Sequence, residues 1–242
     1  MGDVNQSRRT FLKSLAIIAG ASMVVGLLRG LEVLVPPSVG LTSFPTLQLV
    51  DENGNPIKAS DVPVNGQKMA MFNYPPLSNE PNYLLNLGND SNQPVEIPAT
   101  TVTIPATGKT YEFPGGVGPS KSIVAYSAIC EHLGCTYPEL TFYPPPGVKA
   151  LTFNGPMDKV IHCSCHGSTY DPYRGGAAVV TGPTTKPPLP TVQLKWDPST
   201  DYLYAVTMIG PTIYGHTDDL SGGSPISGNS TSVTMLSNPA LG

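Results

Sequence analysis

The chain has 242 residues and a formal net charge of −4, and only 12% of its residues are charged. This length suffices for one domain with a small subdomain, and the lack of a basic surplus argues against nucleic-acid binding. Pro (27 residues) and Gly (25 residues) together exceed a fifth of the chain. Because they disfavour long helices and favour short strands joined by turns, the composition predicts an all-β body.

The amino terminus has the pattern of an export signal that continues into a membrane anchor. Arg8 and Arg9 precede an apolar run from Ser14 to Leu28, which resembles a twin-arginine signal. Continued to Val35, the segment reaches the roughly 20 residues that a helix needs to cross a bilayer. The positive-inside rule keeps the two arginines in the cytoplasm. We therefore predict that residues 1–35 form an uncleaved signal and single-pass transmembrane helix, which places the body on the extracytoplasmic side of the cell membrane.

Beyond this segment, short apolar runs alternate with clusters of turn residues, as in antiparallel β structure. No part of the body has the sustained 3.6-residue periodicity of an amphipathic helix. We expect one domain over residues 36–209 and a polar, loosely ordered tail over 210–242, which has little apolar content to bury. The predicted strands are 46–50, 83–87, 102–104, 122–129, 159–162, 177–181, 191–196 and 202–208.

All four cysteines fall in two short clusters, and each cluster also contains a histidine. The clusters are Cys130-Glu131-His132-Leu133-Gly134-Cys135 and Cys163-Ser164-Cys165-His166-Gly167-Ser168. This combination of soft ligands and imidazoles indicates a metal site. Two Cys and two His ligands could hold either a tetrahedral zinc ion or a [2Fe-2S] cluster. On the oxidising side of a membrane, the two remaining cysteines are expected to form a disulfide.

The pattern C-x-H-L-G-C followed by C-x-C-H-G-S-x-Y-D resembles the two cluster-binding boxes of Rieske iron-sulfur proteins. The stretch between the boxes, 137–161, is longer than in mitochondrial-type members and makes the chain most similar to archaeal, membrane-anchored ones. The resemblance implies the Rieske fold of antiparallel sheets, with a small cluster-binding subdomain at about 125–190. It also implies one Rieske-type [2Fe-2S] cluster per chain.

The resemblance assigns Cys130 and Cys163 as the ligands of one iron, and His132 and His166 as the ligands of the other. It also assigns Cys135 and Cys165 to a disulfide that joins the two loops.

Further residues receive supporting roles from the same resemblance. Ser168 and Tyr170 occupy positions where high-potential members supply hydrogen bonds to sulfur, which favour the reduced state. Leu133 would shield the cluster, and Gly182-Pro183 would begin a proline loop that covers it. His162 directly precedes a ligand on a predicted strand, so its side chain should point away from the site and be structural.

The ligand set and the resemblance together indicate a function. Two neutral imidazoles in place of two thiolates raise the reduction potential, and a ligating imidazole can take up a proton. The resemblance implies a one-electron carrier that accepts an electron and a proton from quinol, with His166 as quinol contact and proton acceptor and His132 beside it. The chain would be the electron-transfer subunit of a quinol-oxidising respiratory complex with cytochrome b-type and other cytochrome subunits, and not a stand-alone catalyst.

Three alternatives share part of the pattern. The small Rieske subunit of an arsenite oxidase-like molybdenum enzyme can have the same export signal and boxes, and its partners would distinguish it. A structural zinc domain does not account for the Gly-Ser-x-Tyr-Asp continuation. A ring-hydroxylase Rieske domain would resemble this one without the extra cysteine pair.

Overall fold

The structure is a computed structural model that describes residues 45–66, 68–74, 80–105, 107–175, 187–211, 213 and 228–241. Strands dominate this part of the chain, and its helical residues are confined to two short 3-10 turns, Ala59–Asp61 and Pro239–Leu241. The strands are β1 (Leu47–Val50), β2 (Lys68–Asn73), β3 (Pro81–Asn86), β4 (Thr100–Thr103), β5 (Thr110–Phe113), β6 (Ile123–Ser127), β7 (Leu140–Tyr143), β8 (Ala150–Thr152), β9 (Gly155–Met157), β10 (Val160–Cys163), β11 (Ser168–Tyr170), β12 (Thr191–Asp197), β13 (Tyr202–Ile209) and β14 (Ser230–Ser237).

Seven strands close into a barrel in the order β1-β13-β12-β6-β3-β2-β14. Neighbouring strands are antiparallel except β1 and β14, whose parallel pairing closes the barrel. Closure pairs every strand edge within the barrel, which removes the exposed edges of an open sheet. The all-β architecture predicted from the composition is therefore confirmed.

Strand β6 contributes to two hydrophobic cores because alternate side chains of a strand point to opposite faces. Ile123 and Ala125 pack in the barrel interior, whereas Val124 and Tyr126 pack in a second core outside it. All five residues of this strand are buried. The second core fills the space between the barrel and the sheet that presents the metal-binding boxes.

That sheet has three strands in the order β11-β10-β7. Strand β7, at one edge of this sheet, accepts hydrogen bonds on its backbone from buried side chains of other parts of the fold. The Tyr83 hydroxyl of β3 donates to the carbonyl of Leu140, and the Asn238 amide donates to the carbonyl of Phe142 at 3.0 Å. These bonds fix the sheet, and therefore the loops at its end, relative to the barrel.

Most strands predicted from the sequence are present, with shifts of at most two residues at their ends. Residues 47–50, 81–86, 100–103, 123–127, 160–163, 191–197 and 202–209 correspond to seven of the eight. The predicted strand 177–181 and the signal and anchor at 1–35 lie outside the described residues. No helix in the described part of the chain is long and apolar enough to span a membrane.

The prediction of a loosely ordered tail is wrong for residues 230–237. They form β14, which pairs with β2 on one side and β1 on the other and completes the barrel. Although the region is rich in Ser and Thr, alternation places Thr231 and Val233 on the buried face. Hydroxyl-bearing, β-branched residues suit such a half-buried strand.

Candidate metal centre

The two predicted metal-binding loops lie at one end of the three-stranded sheet. Cys163 is the last residue of β10 and pairs with Leu140 of β7 and with Ser168 of β11. The second loop therefore joins β10 directly to β11. The first loop is closed by a hydrogen bond of 2.8 Å from the N–H of Cys130 to the carbonyl of Cys135.

The same turn occurs in both loops. The N–H of Gly134 donates to the carbonyl of Cys130, and the N–H of Gly167 donates to the carbonyl of Cys163, each at 2.9 Å. Both glycines have a φ of +76°, in the left-handed region that glycine adopts at least cost. The turns direct backbone N–H groups of the loops toward the sulfurs: His132 donates to Cys130, and the second loop donates likewise to Cys163.

Cys130 and Cys163 are buried free thiols that hydrogen-bond to each other. The bond from Cys163 lowers the pKa of the Cys130 thiol to about 5, against the opposing effect of burial. The same bond, together with burial, raises the pKa of the Cys163 thiol. If both thiols were deprotonated, two adjacent thiolates would need a cation between them. Bound iron would supply that positive charge, and metal ligation requires deprotonated cysteines.

Tyr170 of β11 provides a hydrogen bond to this pair. Its hydroxyl oxygen lies 3.3 Å from Sγ of Cys130 and accepts the N–H of Glu131 at 3.0 Å. Burial raises the pKa of Tyr170, so the hydroxyl stays protonated and can donate to sulfur. Ser168, also on β11, is close enough to contribute to the lowered pKa of Cys130. The Tyr170 hydroxyl thus lies beside a cysteine sulfur, and the hydrogen bonds predicted from both hydroxyls to the sulfurs of a bound cluster stay predictions.

The two box histidines face each other across the loops. The ring centroids of His132 and His166 are 5.0 Å apart, and the rings are nearly perpendicular at 85°. Nδ1 of His132 is buried and has no hydrogen-bond partner among the residues that the structure describes. Within the same residues, the Ser168 Oγ also lacks a partner of good geometry.

The buried polar atoms without a hydrogen-bond partner indicate whether the site fits a metal cofactor. Buried polar atoms nearly always have a partner, so a ligand is expected beside the thiols. A neutral imidazole can offer its lone pair to a metal through such a nitrogen. Two thiols, an unpartnered imidazole nitrogen and a second imidazole form a donor set that suits a [2Fe-2S] cluster with mixed Cys and His ligation.

The predicted disulfide between Cys135 and Cys165 is confirmed. It joins the two loops directly. The sulfurs of these residues and of Cys163 lie within 4.8 Å of one another. That trio is not itself a metal site, because disulfide sulfurs are not thiolates. The disulfide instead locks the loops beside the Cys163 thiol.

Comparison with known proteins agrees with this geometry. Residues 90–195 match the family model described as the Rieske [2Fe-2S] domain. The matched segment is a Rieske domain. Among solved structures, the chain is similar to the soluble domain of the Rieske protein II (soxF) from Sulfolobus acidocaldarius. The two share 28% sequence identity, with 84% of this chain and 98% of that chain covered and a TM-score of 0.49.

The Rieske domain makes the protein an electron carrier whose cofactor is a Rieske-type [2Fe-2S] cluster. Both clusters of cysteine and histidine lie within the matched residues, as do Ser168 and Tyr170. The resemblance inferred from the boxes is therefore confirmed, and so is the cofactor.

The remaining site predictions differ in outcome. Leu133 lies at the tip of the first loop with 53% of its surface exposed. His162 is buried, bonds through Nδ1 to the Thr169 hydroxyl at 2.9 Å and packs edge-on against Tyr143, as expected of a structural histidine. Pro183 lies outside the described residues.

Phe153 was not predicted as a site residue, yet it packs against the second loop from the β8–β9 hairpin. The Asn154-Gly155 pair is a strong hairpin signal and could have located the turn.

Proposed function

We propose that this electron carrier takes one electron and one proton from quinol and passes the electron to a cytochrome in a membrane respiratory complex. The observation that carries the proposal is the contrast between an exposed imidazole, His166, and two buried thiols, Cys130 and Cys163. An accessible imidazole can meet a substrate hydroxyl while the thiols stay away from solvent.

In this proposal Cys130, His132, Cys163 and His166 are the cluster ligands. When bound, the cluster supplies one-electron acceptance at a potential that two imidazole ligands raise. The hydroxyl of Tyr170, 3.3 Å from Sγ of Cys130, stabilises negative charge on sulfur and so favours the reduced state. Such a raised potential suits quinol as the electron donor.

His166 has the role of substrate contact and proton acceptor. Its imidazole can accept a hydrogen bond from the quinol hydroxyl and then hold the proton at nitrogen. Leu133, on the other loop, exposes an apolar side chain that suits contact with the quinol ring. Of the two electrons and two protons of quinol, one electron and one proton leave in this step.

The disulfide supports an extracytoplasmic location for the domain. Structural disulfides persist in oxidising compartments and are rare in the cytoplasm. The bond between Cys135 and Cys165 therefore agrees with a body held outside the cell membrane by the 1–35 segment. Such a location would bring the loops to a membrane-bound donor such as quinol.

Rapid mixing of the oxidised holoprotein with a reduced quinol under anaerobic conditions tests the proposal. The cluster absorbance should bleach in a single phase that corresponds to one electron per chain. The same experiment with arsenite and the native complex tests the arsenite oxidase-like alternative, in which a molybdenum subunit should co-purify. Bleaching by arsenite with no reaction with quinol would refute the quinol proposal.

A further inference from the structure

The segment between β7 and β10 folds back toward the metal centre. The β7–β10 ladder extends from the Leu140 and Cys163 pair, at the loop end, to the Tyr143 and Val160 pair at the other end. The chain thus leaves the sheet roughly 10 Å from the loops, at about 3.3 Å per residue. It nevertheless returns to them, because the turn of the β8–β9 hairpin places Phe153 against Gly167.

The contact between Phe153 and Gly167 leaves no room for a side chain on the loop. A Cβ added to Gly167 would lie 2.4, 3.1 and 3.3 Å from ring carbons Cε2, Cδ2 and Cζ. The ring therefore packs directly on the backbone of the second loop. Since Gly167 also needs its left-handed φ, the position requires glycine for two independent reasons.

The backbone under the ring is the part of the second loop that closes its turn. The N–H of Gly167 donates to the carbonyl of Cys163, and the residues between them are exposed. An exposed turn with few buried contacts opens at low cost. The disulfide at Cys165 restrains one side of this turn, and the ring of Phe153 covers another.

The hairpin is built to hold the ring in place. Its turn is braced by the Thr152 hydroxyl, which donates to the carbonyl of Gly155 at 2.7 Å and accepts the N–H of Asn154 at 3.2 Å. Phe153 keeps 63% of its surface exposed. Burial in a core therefore does not explain its position, whereas contact with the loop does.

We propose that Phe153 is a positioning residue that holds the Cys163–Gly167 turn, and with it the imidazole of His166, in the geometry that binds iron. The long segment between the boxes then has a function in the metal centre. It supplies a third restraint on the second loop, besides the β10–β11 strands and the disulfide.

The test compares three variants of the full-length holoprotein. Phe153→Ala removes the ring, Phe153→Tyr retains it, and Leu151→Ala removes a side chain of the same hairpin that is 82% exposed. Two readouts are measured: the rate of cluster loss in the presence of an iron chelator, and the EPR spectrum of the reduced cluster with the nitrogen couplings of its histidine ligands.

Phe153→Ala should lose the cluster roughly tenfold faster, the factor that corresponds to about 1.4 kcal/mol of lost restraint. It should also broaden or shift the EPR features and nitrogen couplings. Phe153→Tyr and Leu151→Ala should match the unmodified protein in both readouts. A Phe153→Ala protein with unchanged spectrum and loss rate overturns the proposal, and so does an equal effect of Leu151→Ala.

A double-mutant cycle keeps the test decisive if Phe153→Ala incorporates cluster poorly. Gly167→Ala should destabilise the unmodified protein more than it destabilises the Phe153→Ala background, because the clash with the ring is then absent and only the backbone strain remains. Equal costs in both backgrounds would show that the ring does not restrain the loop and would overturn the proposal.

Discussion

The hydroxyl of Tyr170 gives the most direct link between a single atom and the reduction potential. It lies 3.3 Å from Sγ of Cys130 inside the second core, and Tyr170→Phe removes it with little change in shape. A hydrogen bond to sulfur is stronger in the reduced, more negative state by an amount on the order of 1 kcal/mol. For a one-electron couple this amounts to a midpoint potential lower by about 40 mV.

A redox titration followed by the visible spectrum of the cluster measures this shift. Tyr170→Phe should keep its cluster but unfold more easily, by roughly 1–3 kcal/mol, because the N–H of Glu131 loses its bond to the hydroxyl. Tyr173→Phe is the matched control, since that hydroxyl donates to the carbonyl of Gly88 at 2.7 Å and not to sulfur. An unchanged potential in a Tyr170→Phe protein with a full complement of cluster would refute the reasoning.

Three further predictions concern stability. Replacing Cys135 and Cys165 together with Ser opens a bridge across 30 residues and should reduce the free energy of unfolding by about 3.5 kcal/mol in chemical denaturation. The midpoint potential should also fall as the loops loosen, and unchanged values would contradict the restraining role of the bridge. Asn238→Ala removes a buried hydrogen bond to the carbonyl of Phe142. It should lower the free energy of unfolding by about 1–3 kcal/mol in the same assay, with the cluster retained. An unchanged free energy of unfolding would show that the carboxyl-terminal segment does not hold the sheet. Glu80 has its pKa raised by burial to about 7 from 4.5, so the folded protein binds its proton more tightly than the unfolded chain does. The stability from this group is present below about pH 4.5 and is lost as the pH rises toward 7, so Glu80→Gln should flatten the stability profile over that window in denaturation at several pH values. A profile of unchanged slope would exclude Glu80 as its source.

The sequence predicted the metal centre better than the fold around it. The spacing of Cys130 and His132, and of Cys163 and His166, is local, so it could be read directly from the two boxes. Strands such as β12 and β13 were also predictable, since short apolar runs between turn residues are local signals. The positions of Ser168 and Tyr170 beside sulfur came from the family resemblance and not from periodicity.

The features that were missed depend on contacts between distant parts of the chain. Strand β14 is stabilised by pairing with β1 and β2, which lie more than 150 residues earlier, and its Ser and Thr content conceals the alternation. The contact of Phe153 with Gly167 likewise arises only when the hairpin folds back along the sheet. The Asn154-Gly155 pair marks the turn of the hairpin, but neither the pairing of β14 nor the contact of the hairpin with the second loop has a signal within a short sequence window.

The central claim is that Cys130, His132, Cys163 and His166 hold one high-potential cluster per chain. An EPR-monitored redox titration of the purified protein at several pH values tests it most directly. We predict a Rieske-type signal from one cluster per chain, with two nitrogen ligands and a pH-dependent midpoint potential between about −150 and +300 mV. A potential near −400 mV without nitrogen couplings, as in plant-type ferredoxins, or a protein that binds zinc and gives no signal, would contradict it.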